Sequence, residues 1–106
     1  MPDATINFNG LDTTVHGPIR LGVLSALTLD GPLDFTTLRN RLQVSDGALG
    51  LHLGKLEAAG YITARKRFIA RRPNTRYALT SAGRRAFDNY LTSMRRLLDQ
   101  LANHAP

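Results

Sequence analysis

Apolar residues recur at spacings of three and four through the first half of the chain, and this spacing predicts three short helices in succession. Pro18 fits the first turn of the first helix, which we place within residues 11–30. Asp34 and Ser45 are suitable N-caps for the second and third helices, within residues 34–59. Because the break between these two helices is short, they form a predicted helix-turn-helix unit.

Beyond Gly60, the expected left-handed end of the third helix, β-forming residues predominate from Tyr61 to Phe68. The sequence Arg72-Pro73-Asn74-Thr75 predicts a turn, and residues 76–79 predict a returning strand. Residues 61–79 therefore form a predicted β-hairpin directly after a helix-turn-helix. This order of elements is a winged-helix arrangement.

The last apolar stripe predicts a C-terminal helix over residues 80–103, capped by Thr80. Its apolar residues alternate spacings of three and four, which makes a heptad seam that two further leucines widen. A helix of about twenty residues has more apolar surface than one hairpin covers, so we predict homodimerisation through this helix. Packing against the chain's own core would use a similar stripe. The predicted interface residues are Phe87, Tyr90, Leu91, Met94, Leu97, Leu98 and Leu101.

Composition limits the class of protein. With 106 residues, 42% hydrophobic and 21% charged, the chain has the length and balance of one globular domain, which we place at residues 1–106. The absence of cysteine excludes disulfides, thiolate metal sites and cysteine nucleophiles. The sequence shows no secretion signal and no apolar run of membrane length, so we expect a soluble, cytoplasmic protein. The predicted fold class is α+β, mainly α: a winged helix-turn-helix with a C-terminal dimerisation helix.

The net charge of +6 comes entirely from residues 61–76. This stretch contains six Lys or Arg and no acid, whereas the rest of the chain contains eight Lys or Arg and eight Asp or Glu. Like charges on one ribbon repel each other, so such an excess indicates contact with a phosphate backbone. The alternative is a solvated hairpin whose arginines keep the protein soluble. The six cations are Arg65, Lys66, Arg67, Arg71, Arg72 and Arg76.

Four stretches together resemble the compact winged-helix transcriptional regulators of the MarR and ArsR types found in bacteria and archaea. They are LDTTVHGPIRLGVLSAL, SDGALGLHLGKLEAAGYI, ARRPNTRYALT and SAGRRAFDNYL. The resemblance covers residues 11–101. It implies a homodimer whose third helix enters the major groove of double-stranded DNA, while each wing reaches the flanking backbone or minor groove.

The third helix offers few hydrogen-bonding side chains to such a groove. With Leu49, Leu53 and Leu56 directed inward, its outer face carries one lysine among glycine, alanine and leucine residues, whereas base-edge readout usually requires Arg, Asn or Gln. Either the glycines let the helix backbone lie close to DNA, with specificity taken from DNA shape, or the helix no longer reads sequence. The predicted contact residues are Ser45, Gly47, Ala48, Gly50, Leu51, His52 and Lys55.

The wing supplies the stronger candidates for DNA contact. Arg71 and Arg72 are predicted near its tip beside Pro73, and an Arg in such a position commonly enters a narrow minor groove. Arg20, Arg39 and Arg41 on the first two helices either add backbone contacts or form surface salt bridges. The predicted wing contacts are Arg65, Arg67, Arg71, Arg72, Asn74 and Arg76.

No motif in the chain indicates catalysis or a cofactor. The sequence lacks a Ser, His and Asp set at plausible spacing, a glycine-rich phosphate loop and a carboxylate pair, so we predict no enzyme activity. The three histidines lie far apart, which argues against a metal site. His52 either packs at the edge of the third helix or contacts DNA, and His16 either caps or packs against the first helix.

Two functions remain open on the sequence alone. The leading one is a homodimeric DNA-binding transcriptional regulator, acting as a repressor that occupies its operator. The alternative is a winged-helix interaction module, an adaptor or antagonist, whose smooth third helix packs against a protein. No residue pattern identifies a small-molecule effector, and we predict no membrane partner.

Overall fold

In the described residues, four helices and the two-stranded hairpin follow one another in the order that the sequence predicts for a winged helix, and a further short strand completes a three-stranded antiparallel sheet. The computed structural model describes residues 5, 6 and 8–104. It confirms the α+β, mainly helical, fold class. The elements are α1 (Pro18–Asp30), β1 (Leu33–Asp34), α2 (Phe35–Leu42), α3 (Asp46–Ala58), β2 (Ile62–Ile69), β3 (Arg72–Leu79) and α4 (Ser81–Ala102).

Side-chain caps begin three of the four helices, as predicted. In each case the capping oxygen accepts a hydrogen bond from the backbone N–H three residues later, at 2.8 Å for Asp34, 3.2 Å for Ser45 and 3.0 Å for Thr80. Each cap pairs one of the N–H groups that a helix start leaves without an intrahelical partner. Gly60 ends the third helix region with a φ of 77°, the left-handed conformation expected there.

The first helix is shorter than the predicted segment 11–30, because it begins at Pro18. Gly17 before it is fully extended, with φ −176° and ψ 142°, since the proline ring disfavours helical geometry in the preceding residue. The backbone N–H groups of Val15 and His16 both donate to the carbonyl oxygen of Asp12, at 3.0 and 2.7 Å. Residues 11–17 are therefore a compact turn that leads into the helix.

The hairpin turn lies at Ala70 and Arg71, not at residues 72–75 as predicted. Both turn residues have positive φ, 50° and 65°, as a two-residue turn of type I′ requires. A type I′ turn matches the right-handed twist of the two strands. This match outweighs the local turn preference of Pro73 and Asn74. Pro73 lies inside β3 opposite Phe68, so it is not part of the turn.

Pro73 is tolerated within a strand because β3 has an open edge at that point. The sheet order is β1-β3-β2, and β1 pairs with β3 only at Tyr77 and Arg76. A residue without an N–H is accommodated along an unpaired edge. The short strand β1 was not predicted, because two residues are too few to show an alternating pattern.

The core lies between the helices and the inner face of the sheet. The predicted inner stripe of α3 is confirmed, with Leu49, Leu53 and Leu56 at most 2% exposed. Phe87 and Tyr90 of α4 are also buried, at 4% and 2% exposure. Their side chains pack within the chain, so they offer little surface to the predicted dimer interface. The other buried core residues are Val15, Val23, Leu24, Ala26, Leu27, Leu38 and Ile62.

Gly83 lets α4 lie directly against the start of the wing. A Cβ atom at this position would overlap the backbone carbonyl of Tyr61, which cannot move without shifting the chain between α3 and β2. The absence of a side chain at Gly83 therefore sets how closely the C-terminal helix packs on the rest of the fold.

Candidate nucleic-acid interface

The outer face of α3 is smooth and open to solvent. A Cβ atom added at Gly47, Gly50 or Gly54 would meet no other atom of the chain within 4 Å. Leu51 between them is 59% exposed, and Lys55 is also exposed. A helical glycine costs about 1 kcal/mol relative to alanine. The chain's own packing therefore requires none of these three glycines.

Two other predicted contacts at the start of α3 already have structural roles. The hydroxyl of Ser45 caps the helix, and Ala48, the residue whose N–H it binds, is half-buried.

Asp46 forms an ion pair with Arg39 of α2 at 3.0 Å. Arg41 is likewise paired with Asp30 at the end of α1. These pairings favour the salt-bridge interpretation of the two arginines in α2.

His52 lies at the edge of α3, where Arg20 of α1 holds its ring. One guanidinium nitrogen of Arg20 lies 2.8 Å from Nδ1 of His52. Because arginine can only donate, Nδ1 accepts this hydrogen bond and the ring proton is on Nε2. Burial lowers the pKa of His52, and the positive charges of Arg20 and Lys55 lower it further. The structure thus keeps His52 neutral, with one N–H left to donate.

We predict that His52 titrates below the ordinary histidine value of 6.5. The measurement is a pH titration of the histidine ring signals by NMR. Because the folded state has the lower pKa, this group contributes stability above the unfolded value that is lost as pH falls through the folded pKa. A His52 pKa at or above 6.5 would contradict the arrangement.

The wing carries most of its arginines on one face. In the strand register, Arg65 lies directly opposite Arg76, and Arg67 lies opposite Asn74. Residues paired in this way point to the same side of the sheet, so these four share one face with Arg72. The other face of the strands bears Ile62, Tyr77 and Leu79, which pack toward the core. Ala64 and Lys66 lie on the same face.

Arg67 and Asn74, both predicted to bind DNA, form a chain of hydrogen bonds to the start of α2. Nε of Arg67 donates to Oδ1 of Asn74 at 2.9 Å, and the Asn74 amide donates to Asp34 at 3.1 Å. Hydrogen bonds from Thr37 and Asn74 and the charge of Arg67 lower the pKa of Asp34. These two residues therefore fix the wing to the helix-turn-helix, which leaves Arg65, Arg71, Arg72 and Arg76 as the exposed arginines of the hairpin.

The wing tip combines charge with exposed apolar surface. Arg71 lies in the turn and Arg72 follows it, both exposed as predicted. Phe68 and Ile69 just before the turn are 76% and 49% exposed. The sequence did not predict this exposed apolar pair, because the turn was placed at residues 72–75 rather than directly after Ile69.

The outer stripe of α4 is divided between the core and solvent. Leu91, Leu98 and Leu101 are 43%, 56% and 62% exposed, while Met94 and Leu97 are half-buried. The predicted seam therefore keeps its surface in the second half of the helix.

The N-terminal segment adds to the apolar surface near α4. Gly10 lies so close to Ser93 that a Cβ at position 10 would collide with the serine side chain. Ile6 and Phe8, just before it, are 60% and 67% exposed. The sequence did not predict this surface, since an isolated pair of apolar residues has no periodicity.

Comparison with known proteins identifies the family to which this arrangement belongs. A family model described as a winged helix DNA-binding domain matches residues 19–98. The chain belongs to this winged helix family. Its matched part runs from the start of α1 into the second half of α4, and it includes the smooth face of α3 and the whole wing.

Individual proteins also resemble this chain in sequence or structure. An uncharacterized protein of Methanocaldococcus jannaschii is 36% identical over 73 residues, which cover 69% of this chain and 79% of that protein. The structure of a transcriptional regulator homologue from Pyrococcus horikoshii OT3 is 28% identical, with a TM-score of 0.77 over 83% of this chain and 87% of that one. A MarR-family regulator from Silicibacter pomeroyi shares the fold at 23% identity and a TM-score of 0.63, over 93% and 68% of the two chains. The predicted resemblance to compact winged-helix regulators is confirmed.

The histidines of this winged-helix protein are dispersed. His16 lies in the turn before α1, where its Nδ1 is 2.7 Å from the hydroxyl of Tyr90 in α4. Within the described residues, no three His, Cys, Asp or Glu side chains come together as metal ligands could. No helix in that part of the chain is both long and apolar enough to cross a bilayer.

Proposed function

We propose that this winged-helix protein is a homodimeric transcriptional regulator that represses by occupying its operator. In this proposal α3 enters the major groove, and the wing contacts the flanking backbone and minor groove. The proposed site of action is the cytoplasm, and we assign the protein no catalytic role. The observation that carries the proposal is the set of exposed wing arginines, none of which has an acidic partner among the ion pairs of the described residues.

The wing arginines supply the electrostatic part of the proposed interaction. Arg65 and Arg76 lie directly opposite each other, and like charges in such a pair destabilise the hairpin. A phosphate placed between them would replace this repulsion with two attractive contacts. Arg71 and Arg72 extend the same positive surface to the tip, from which a side chain can reach a narrow minor groove.

The smooth face of α3 suits close approach to DNA more than base recognition through side chains. Lys55 is its only cation, and Leu51 offers an apolar contact such as the methyl group of thymine accepts. We therefore propose that specificity arises mainly from DNA shape and deformability, with the α3 backbone lying close to the groove wall.

Replacing Gly50 and Gly54 together by alanine tests this close approach. The free energy of unfolding of the double variant is expected to be about 2 kcal/mol higher than that of the original protein, since each exposed helical glycine costs about 1 kcal/mol. Its affinity for duplex DNA should nevertheless fall about tenfold, because two methyl groups would separate the helix from the groove. Thermal unfolding and fluorescence anisotropy measure the two effects.

A matched control for the glycine variant is Asn89→Ala, which also improves an exposed helical position but lies on α4. It should raise stability without changing DNA affinity. If the glycine variant binds DNA as tightly as the original protein, the α3 backbone does not lie close to DNA.

Homodimerisation is proposed through the second half of α4 and the N-terminal segment. Leu91, Leu98 and Leu101 are exposed there, and Ile6 and Phe8 add apolar surface. A two-fold dimer would place two copies of α3 on successive half-sites of one DNA face.

A winged-helix interaction module is the second candidate, and the exposure of Leu51 on a smooth helix face favours it. Salt dependence distinguishes the two functions. Neutralising about six phosphates gives a slope of log K against log salt concentration near −5, and a dimer gives a steeper one. An apolar protein interface would change little with salt. Measuring anisotropy of labelled duplex DNA at several salt concentrations therefore tests the proposal.

A further inference from the structure

A cleft of about 320 Å³ lies beside the C-terminal half of α3, and it shares Lys55 with the smooth face described above. The turn before α1 forms one wall, and α1 and α3 form the rest. Within the described part of the chain no carboxylate contributes to its lining, whereas two cations do. The lining residues are Thr13, Thr14, Arg20, Lys55 and Ala58.

Arg20 is held rigidly at this cleft by neutral groups. Its Nε donates to the carbonyl oxygen of Thr14 at 2.7 Å, and a terminal nitrogen donates to those of Thr13 and His16 at 3.2 and 3.3 Å. Its other terminal nitrogen donates to His52. Because all four acceptors are uncharged, the guanidinium is oriented without being neutralised.

Arg20 differs in this respect from the other helix arginines that have partners. Arg39, Arg41 and Arg84 all form ion pairs with aspartates, and none of the ion pairs in the described residues includes Arg20. A side chain fixed by four hydrogen bonds has already lost its conformational entropy, so an anion that binds to it has less ordering to impose.

Lys55 places a second positive charge at the same cleft. It is exposed, and within the described residues its ammonium group makes no hydrogen bond or ion pair. Asp12, the acid next to the lining turn, is engaged elsewhere. One of its oxygens accepts from the backbone of Thr14 at 2.8 Å, and the other accepts from the Tyr61 hydroxyl at 2.5 Å.

We propose that this cleft is a phosphate-binding site, in which Arg20 and Lys55 hold one phosphate group between them. The phosphate is that of the DNA backbone flanking the groove that α3 enters, and this assignment rests on the proposed function. A free phosphate-bearing molecule carries the same chemistry, and the two sources are separated by experiment. The positive charges of the cleft also act on the ring of His52. A phosphate bound in the cleft should therefore change the NMR signal of that ring.

The test uses Lys55→Gln, which removes one cation at an exposed helix position and leaves the Arg20 hydrogen bonds in place. Arg96→Gln on α4 is the matched control, because it makes the same change in net charge at another exposed helical position. In the first arm, inorganic phosphate is added at pH 7.5 without DNA while the histidine ring signals are followed by NMR. His16 and His104 serve as internal references.

In the second arm, the salt dependence of binding to duplex DNA is measured for the same proteins. If the cleft holds a backbone phosphate, the slope of log K against log salt becomes less steep by about 1.8 per dimer in Lys55→Gln than in Arg96→Gln. If the cleft also holds free phosphate, the His52 signal shifts saturably in the first arm and at least fivefold more phosphate is needed in Lys55→Gln.

The outcomes separate this proposal from the proposed function. A phosphate response at His52 in a protein that does not bind DNA would support the cleft and contradict the DNA-binding role. Binding to DNA with equal slopes for the two variants, together with no phosphate response at His52, would overturn the cleft and leave the DNA-binding role intact.

Discussion

Replacing Arg71 and Arg72 by alanine is expected to weaken binding to duplex DNA about equally for all sequences. Both side chains are exposed at the wing tip and have no acidic partner among the described ion pairs. If each contacts one phosphate, a dimer loses four contacts, and the slope of log K against log salt becomes less steep by about 3.6. Fluorescence anisotropy at several salt concentrations measures this slope.

The fold should tolerate the double wing variant, because neither side chain packs on the core. Arg95→Ala with Arg96→Ala is the matched control, since it removes the same charge from an exposed part of α4. Equal slopes for the wing variant and this control would remove the wing tip from the DNA contact.

Replacing Leu98 and Leu101 by lysine is expected to convert the protein into a monomer. These side chains are 56% and 62% exposed in the single chain, so lysine at either position leaves the monomer core unchanged. Burying four lysines in a dimer would instead require desolvating like charges without partners. Sedimentation velocity should therefore report the mass of one chain, with the circular dichroism of the folded protein retained.

Loss of the dimer should also reduce DNA binding, because one chain makes half of the phosphate contacts and the salt slope becomes about half as steep. Leu29→Lys is the control, since that leucine is 77% exposed at the end of α1. A Leu98 and Leu101 variant that still sediments as a dimer would place the interface elsewhere on the chain.

Local chemistry made much of this fold predictable from sequence. Asp34, Ser45 and Thr80 cap helices as expected, because their short side chains bind backbone groups only three residues away. The inner stripe of α3 follows from helical spacing alone, and it is buried as predicted.

Features that depend on pairing between distant segments were less predictable. The hairpin register fixes the turn at Ala70 and Arg71, although the Pro-Asn sequence further along is the stronger local turn signal. β1 exists only because it pairs with β3 at Tyr77 and Arg76. A local pattern contains neither piece of information.

In the candidate site too, local features were predictable from the sequence and features that depend on tertiary contacts were not. The charge of the wing was visible in composition, but the engagement of Arg67 with Asn74 and Asp34 depends on which residues the strands bring together. The heptad pattern of α4 likewise did not separate the half that packs on the core from the half that remains exposed. Periodicity identifies an apolar face, whereas its partner depends on tertiary packing.

Selection of preferred sites from a pool of random duplex DNA, with the number of bound chains counted by native mass spectrometry, tests the central proposal most directly. We predict enrichment of a two-fold symmetric sequence that binds two chains, with affinity that falls steeply as salt rises. Failure to bind duplex DNA at low salt would contradict the account and favour a protein partner for the smooth face of α3.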